Sequence, residues 1–547
     1  MPDYDSLKWR QLSYSERGKL ACQSWALQGY GTPSAIFLFY ALKVAFYIWI
    51  WSFFCSFSPS LGSLSEISDW WLEPLAFQKA ILWSLMFEVL GLGCGSGPLT
   101  GRYNPPFGGF LYFLRPGTTK LALCPNLPLL GGNRRSWFDV LLYAGLLALL
   151  VIVLTAPTVE TAQLWPILLV LAVLTLADKT LFLAARGEHY GVMILLFLLA
   201  ASQLEWVAGC KGVAAALWFF AGVSKLNHHF PTVVGVMVSN SPVIPWAFVR
   251  KRMYRNYPND LRPSQLAVFM AHFGTALELG VPLILLLAPS GPFLWLGIGL
   301  MLLLHTFITS NLPMGVPIEW NIMVVYGALV LFWGQPQVSV LDSGAVIGGL
   351  LLLVSVLVPV VGHLFPDRIS FLPAMRYYAG NWAMSIWLFK GDSYRKLHQN
   401  LTMSSPWIED QLAPFYDEQT IHAALGKVMS FRLMHLHGRT LGTLIPKAIE
   451  GELADYEWVD GELVAGLVLG WNFGDGHLHD ERLLEIVQSS CDFEEGELRC
   501  VFVESQPLFQ GYHAYRIWDA KSGKMECGRI AVSDLLKMQP WDEIAVD

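Results

Sequence analysis

Residues 218–231 read WFFAGVSKLNHHFP, an apolar helical run that ends in one lysine, one asparagine and two adjacent histidines. Lys225 lies seven residues past Trp218, at the polar end of the run. A charge held well inside a bilayer costs roughly 2.5–3.5 kcal/mol on insertion scales, so a lysine kept there marks a functional position. The alternative is that Lys225 sits near the helix end and snorkels its ammonium to the headgroups. The other polar residues in apolar surroundings weigh between the two.

Around this stretch the composition is that of a membrane protein. Of 547 residues, 54% are hydrophobic and only 14% charged, and mean hydropathy is +0.45. The net charge of -7 is modest and no basic tract points to nucleic acid. The eight cysteines are scattered and form no CxxC pair, which argues against a zinc ribbon or a disulfide framework. Tryptophans are many, 22 in all, and several lie at the ends of apolar runs, where amphipathic rings favour the interface.

Apolar runs long enough to span fall at about 34–57, 75–94, 137–156, 163–185, 189–208, 212–229, 264–288, 293–311, 318–335 and 344–364. Strongly basic loops alternate with loops poor in Lys and Arg, so the positive-inside rule places both termini in the cytoplasm. Residues 1–33 are polar and carry Lys8, Arg10, Arg17 and Lys19, and read as a cytoplasmic segment rather than a cleavable signal peptide. Residues 365–392 mix aromatics with Arg376 and Lys390, and suit an interfacial helix or a short re-entrant segment. Residues 393–547 read as a soluble α/β domain, with strands at 497–505 and 513–519 and a helix at 480–490. The expected fold is therefore mainly α: a polytopic helical membrane domain of about ten spans over 34–364, followed by a C-terminal soluble α/β domain.

Further polar residues interrupt the apolar runs. Asp178 and Lys179 lie in LTLADKTLFLAA, His189 in GEHYG, and Glu205 closes LLAASQLEW. His272 and Glu278 lie in FMAHFGTALELGVPLILLL, His305 in LMLLLHTFITSN, and Glu319 and Asn321 in PIEWNIMVVYG. Each alone is most simply a structural group satisfying a neighbouring carbonyl. Together, on different helices at similar depth, they define a polar-lined cavity. Burial disfavours an ammonium, and a lysine held neutral is a usable general base.

The order LADKT, GEHYG, FFAGVSKLNHHF, HFGTALELG, HTFITSN over about 135–335 resembles the transmembrane core of vitamin K-dependent gamma-glutamyl carboxylase. It also resembles the wider bacterial group that shares the horizontally transferred transmembrane domain. AGVSKLNHHF is similar to the carboxylase's AGVKKLDADW, and Lys225 stands at its second lysine. The resemblance implies Lys225 as the base that deprotonates a quinol, His189 as an assisting active-site histidine, and Glu278 at the position of a family aspartate. It implies a quinone or other isoprenoid lipid as ligand. Ser224 replaces the first lysine, Phe230 replaces the tryptophan, and the C-terminal part does not resemble the carboxylase's lumenal domain. With its WALQGYGTP start and GWNFGDGHLHDERLL segment, the whole chain resembles a bacterial family of transmembrane proteins of unknown function, which implies the bacterial inner membrane.

The expected site has Lys225, His189 and His228 as catalytic groups, with His272, Glu278, His305 and Asn227 binding substrate. Oxygen-dependent proton abstraction needs no metal or nucleotide. GDGHLHDE offers one weak metal candidate, His477, His479 and Asp480; the alternative is a capping loop with Asp480 starting the next helix. GLGCGSGP (91–98) reads as a loop or helix end, and the pair His435 and His437 as a weaker motif. The competing function is a non-enzymatic lipid binder whose C-terminal domain docks a protein partner. A transporter lacks support, since no inverted repeat is visible. Membrane lipids are expected partners and nucleic acid is not.

Overall fold

The computed structural model describes residues 6–9, 11–94, 100–102, 109–288, 290–311 and 317–543. Residues 95–98 of the GLGCGSGP stretch and parts of the N-terminal segment lie outside the described residues; 91–94 form a turn. In chain order, the helices before the cavity are α1 (Tyr14–Gln28), α2 (Ser34–Cys55), α3 (Pro74–Val89), α4 (Trp137–Thr155), α5 (Thr161–Ala177) and α6 (Gly187–Leu199). Then come α7 (Gln203–Val223), α8 (Phe230–Asn240), α9 (Ala247–Arg252), α10 (Gln265–Leu287), α11 (Pro292–Thr309), α12 (Ile318–Gly334) and α13 (Val340–Leu364).

Six of these, α2, α4, α7, α10, α11 and α13, are long and apolar enough to cross a membrane. Four apolar helices, α5, α6, α8 and α12, are shorter, and α3 has 16 residues. The expectation of about ten spans therefore exceeds the number of long helices. Polar side chains make the difference by ending helices within apolar runs. Asp178 leaves helical geometry and its carboxylate accepts from Thr180 N at 3.1 Å, closing α5 where a longer span was expected. Ser202 caps α7 by accepting from Glu205 N at 3.3 Å, so the expected 189–208 and 212–229 runs become 187–199 and 203–223.

The break after α7 positions the site. Asn227 Nδ2 donates to Ser224 O at 2.7 Å, and Asn227 Oδ1 accepts from His229 N at 2.8 Å. Such local bonds compete with helix continuation. The chain turns through 224–229 and restarts as α8, with Pro231 in its first turn. Lys225 thus lies in a turn between two helices, and the stretch between the expected runs 212–229 and 264–288 opens as helix.

The C-terminal part builds a five-stranded sheet in the order β4-β3-β5-β6-β7, every pair antiparallel. The strands are β3 (Met384–Lys390), β4 (Tyr456–Asp460), β5 (Leu498–Val503), β6 (Tyr512–Asp519) and β7 (Gly523–Ala531); β1 (Tyr254–Asn256) and β2 (Asp260–Pro263) form a small hairpin before α10. β3 corrects the reading of 365–392 as interfacial helix or re-entrant segment: 384–390 is a central strand. It reads as a continuous apolar run because both of its faces are buried. Helix α15 (Gly461–Leu469) packs against β3 and β4, while α14 (Glu418–Met434) and α16 (Glu481–Cys491) are tied to the sheet by the ion pairs Arg432–Asp460 and Glu481–Arg516.

α1, the segments before α4, α6 and α10, and the C-terminal part are bonded together. Lys427 Nζ on α14 donates to Gly29 O (2.9 Å), Gln411 Nε2 to Gly101 O (2.7 Å), Lys179 Nζ to His477 O (2.5 Å) and Leu261 N to Gln539 Oε1 (2.9 Å).

Candidate functional site

Residues of α2, α7, α8, α10, α11 and α12, with aromatic residues that precede and follow β3, line a mostly apolar cavity of about 380 Å³. Its polar lining includes Lys225, Glu278, His305 and Asn321. Phe269 and Phe273 of α10 and Leu303 of α11 line it while being 66%, 50% and 56% exposed on the outside of the bundle. The cavity therefore reaches the outer, apolar face of the helices.

Lys225 is buried and ion-paired with Glu278. Its Nζ lies 3.4 Å from Ala221 O and 5.1 Å from the centroid of Phe230. Glu278 faces inward because α10 buries Ala267, Ala271, Thr275, Glu278, Val281 and Leu285, a helical stripe. A buried charge keeps its place only with a partner, and here each group is the other's.

His305 is fixed at both nitrogens. Trp218 donates Nε1–H to His305 Nε2 at 2.9 Å, so that nitrogen is an acceptor. The ring proton then sits on Nδ1, 2.8 Å from Asn321 Oδ1. Asn321 Nδ2 donates to Pro317 O at 3.0 Å, which orients the amide. The imidazole is held as one neutral tautomer in the cavity wall.

The other expected residues lie elsewhere. His189 is buried behind the wall residue Trp320, whose Nε1–H donates to His189 Nδ1 at 3.1 Å. His272 is exposed; six residues at 100° each put it about 120° around α10 from Glu278. His228 is exposed, and Asn227 shapes the turn rather than the cavity. The neighbour of His228, His229, is the buried one: its Nε2 lies 3.2 Å from His513 Nε2 and 2.9 Å from Gln506 Oε1. His435 and His437 complete a buried histidine cluster with these two, the His229 and His437 rings being 6.1 Å apart.

Sequence reasoning missed Lys43 and Arg186 in the cavity wall. Lys43 interrupts α2 and pairs with Glu319 at 3.1 Å; a charge in the middle of an apolar span is the signal that finds it. Arg186, fully buried, pairs with Glu188 at 2.9 Å and lies 4.9 Å from the Trp320 ring. Nothing in its ARGEHYG context marks it as internal.

Among the described residues no group of three or more His, Cys, Asp or Glu side chains is arranged to hold a metal ion. The candidate His477, His479 and Asp480 diverges. His477 Nε2 binds Glu504 Oε2 at 2.9 Å, His479 Nδ1 meets Ser385 Oγ at 2.7 Å, and Asp480 caps α16 by accepting from Arg482 N at 3.0 Å. Burial opposes the His477 imidazolium, but the Glu504 carboxylate outweighs it and raises His477 above the usual imidazole range. Glu504, despite its own burial, is pulled down to about 2 by the same pairing.

No curated protein and no solved structure is significantly similar to the chain. The family described as "Transmembrane protein of unknown function (DUF3556)" matches over residues 1–547, and with its apolar helices the chain belongs to that family.

Proposed function

We propose that this membrane protein admits a lipid-soluble molecule, a quinol or another isoprenoid, into the cavity and exchanges a proton with its polar end through Lys225 and Glu278. The observation that carries the reading is a buried lysine–glutamate pair in the wall of an apolar cavity whose rim is exposed on the outside of the bundle. An apolar pocket with a few fixed polar groups suits such a ligand. The pair holds one exchangeable proton. With it on Glu278, Lys225 carries a free lone pair and acts as base; with it on Lys225, Glu278 accepts. His305, presenting one tautomer, orients rather than relays.

The resemblance of residues 135–335 to the carboxylase core supports the lysine-base chemistry. The altered motif around Ser224 and Phe230 and the unlike C-terminal domain argue against protein glutamate as substrate. The proposed setting is a bacterial inner membrane with both termini cytoplasmic, supported by the basic loops that pack with α1 and the C-terminal part.

A second reading, lipid binding without chemistry, is favoured by one observation: Lys225 is already engaged by Glu278. Lipid extraction of the purified protein followed by mass spectrometry tests the proposal. A co-purifying quinone or isoprenoid, lost in Lys225→Met, is the expected result. Phospholipid alone, unchanged by that substitution, would overturn it and leave the binding reading.

A further inference from the structure

Away from the cavity, residues 243–255 read VIPWAFVRKRMYR and include α9. Val243, Trp246 and Phe248 are 63%, 57% and 60% exposed. Lys251, Arg252 and Arg255 are exposed as well, and none forms an ion pair among the described residues. Arg252 lies 6.0 Å from the Phe248 ring centroid and Lys251 5.4 Å from that of Tyr257, so the surface joins three exposed apolar side chains to three cations that no carboxylate among the described residues neutralises.

Arg250, in the same run, has a different task. Its guanidinium donates to Ile244 O at 2.9 Å, to Ser241 O at 3.1 Å and to Leu27 O at the end of α1. Those bonds fix the segment's path, so the exposure of its neighbours is built in. Ser264, the N-cap of α10, fastens the other end: its Oγ–H donates to Arg252 O at 2.6 Å and its N–H to Met253 O at 2.9 Å. The cations are therefore held at the start of a candidate membrane helix. The first residues of that helix, Leu266 and Phe269, continue the exposed apolar surface, and Phe269 belongs to the cavity rim.

We propose that residues 243–255 form a docking surface for the anionic headgroups of the bilayer. Trp246 and Phe248 sit in the interface, where amphipathic and aromatic rings are favoured. Lys251, Arg252 and Arg255 meet lipid phosphates, the complementary charge at that depth. Continuity with the outward face of α10 selects a lipid surface over a soluble acidic protein. The surface also places an anionic headgroup layer beside the cavity mouth.

The test uses the full-length protein in nanodiscs of phosphatidylcholine mixed with phosphatidylglycerol, with lipids retained after brief detergent extraction counted by native mass spectrometry. Wild type is expected to retain phosphatidylglycerol over phosphatidylcholine by about tenfold or more. K251Q/R252Q/R255Q is expected to lose that preference with unchanged gel-filtration elution. Should the triple variant aggregate, wild type in about 1 M salt, where the screening length is roughly 3 Å, supplies the same comparison. Equal retention of both lipids by wild type, or a preference that survives substitution or salt, overturns the proposal. Release of a co-purifying acidic protein by the same substitutions, with lipid retention unchanged, would assign the surface to a protein partner instead.

Discussion

Lys225 and Glu278, 53 residues apart in the chain, meet as a buried ion pair between the turn after α7 and the middle of α10. The turn exists because Asn227 diverts the backbone, and the carboxylate faces inward because it lies on the buried stripe of α10. Two independent local features therefore deliver the two charges to one cavity wall.

Removing one member of this pair should harm more than removing both. Lys225→Met or Glu278→Leu leaves one buried charge alone and should cost about 3–5 kcal/mol. The double variant Lys225→Met/Glu278→Leu should recover most of that stability, while retention of an isoprenoid ligand stays lost. Thermal unfolding in detergent together with lipid mass spectrometry separates the two effects. A double variant as unstable as the singles would show that the pair is not an isolated unit.

Trp218→Phe keeps an aromatic ring, though a smaller one, but removes the donor to His305 Nε2. The buried imidazole nitrogen is left without a partner, which should cost about 1–3 kcal/mol. Asn321→Leu, which removes the partner of Nδ1, should cost a similar amount. The melting temperatures of the two variants and their combination test this. Because both bonds hold one ring, the combination should fall short of additivity.

Much of the cavity was legible as chemistry and little of it as position. Lys225, Glu278 and His305 each stand out as polar residues in apolar runs, and all three line one cavity. His272 stands out equally, yet it lies on the outer side of the helix that carries Glu278; the spacing 272–278 already contains that answer once the helix is assumed. His228 and His229 could not be told apart, because the turn that buries one and exposes the other follows neither the helical nor the strand period. The same limit hid β3. Its apolar run, buried on both faces, has the composition of a membrane-associated segment, and only pairing with β4 and β5 reveals a strand. The strands around 498–503 and 512–519 and the helix at 481–491 were legible because their flanking turns and charges bound them.

The histidine cluster predicts acid sensitivity. Burial holds His435 down to about 3 and His513 down to about 4, against the usual 6.5. Below about pH 6.5 the unfolded chain takes up protons that these folded imidazoles refuse, so stability falls as pH drops from 6.5 toward 4. Glu504, held down to about 2 against an ordinary 4.5, contributes stability that is lost progressively as pH falls from about 4.5 toward 2, so its loss lies mostly below the histidine window. Melting curves in detergent across pH 4–7 should show the slope, and His435→Gln combined with His513→Gln should make it shallower, His437, also held low by burial, remaining. A wild-type melting temperature independent of pH in that window would contradict the burial of these rings.

Two glycines near the pair should respond to alanine in opposite directions. A Cβ on Gly222 of α7 would fall 2.9 Å from Leu279 Cγ and 3.1 Å from Leu279 N, so α7 and α10 approach closely only because that side chain is absent. Gly222→Ala must push the helices apart beside Lys225 and Glu278, at about 1–3 kcal/mol in stability, and should weaken retention of a cavity ligand. Gly280 lies on α10 two residues past Glu278, and a Cβ there meets nothing within 4 Å. Gly280→Ala should therefore gain helix propensity of up to about 1 kcal/mol and leave ligand retention unchanged. Thermal unfolding and lipid mass spectrometry on the two variants read both effects. Similar behaviour of the two would mean that the close approach at Gly222 does not hold the pair together.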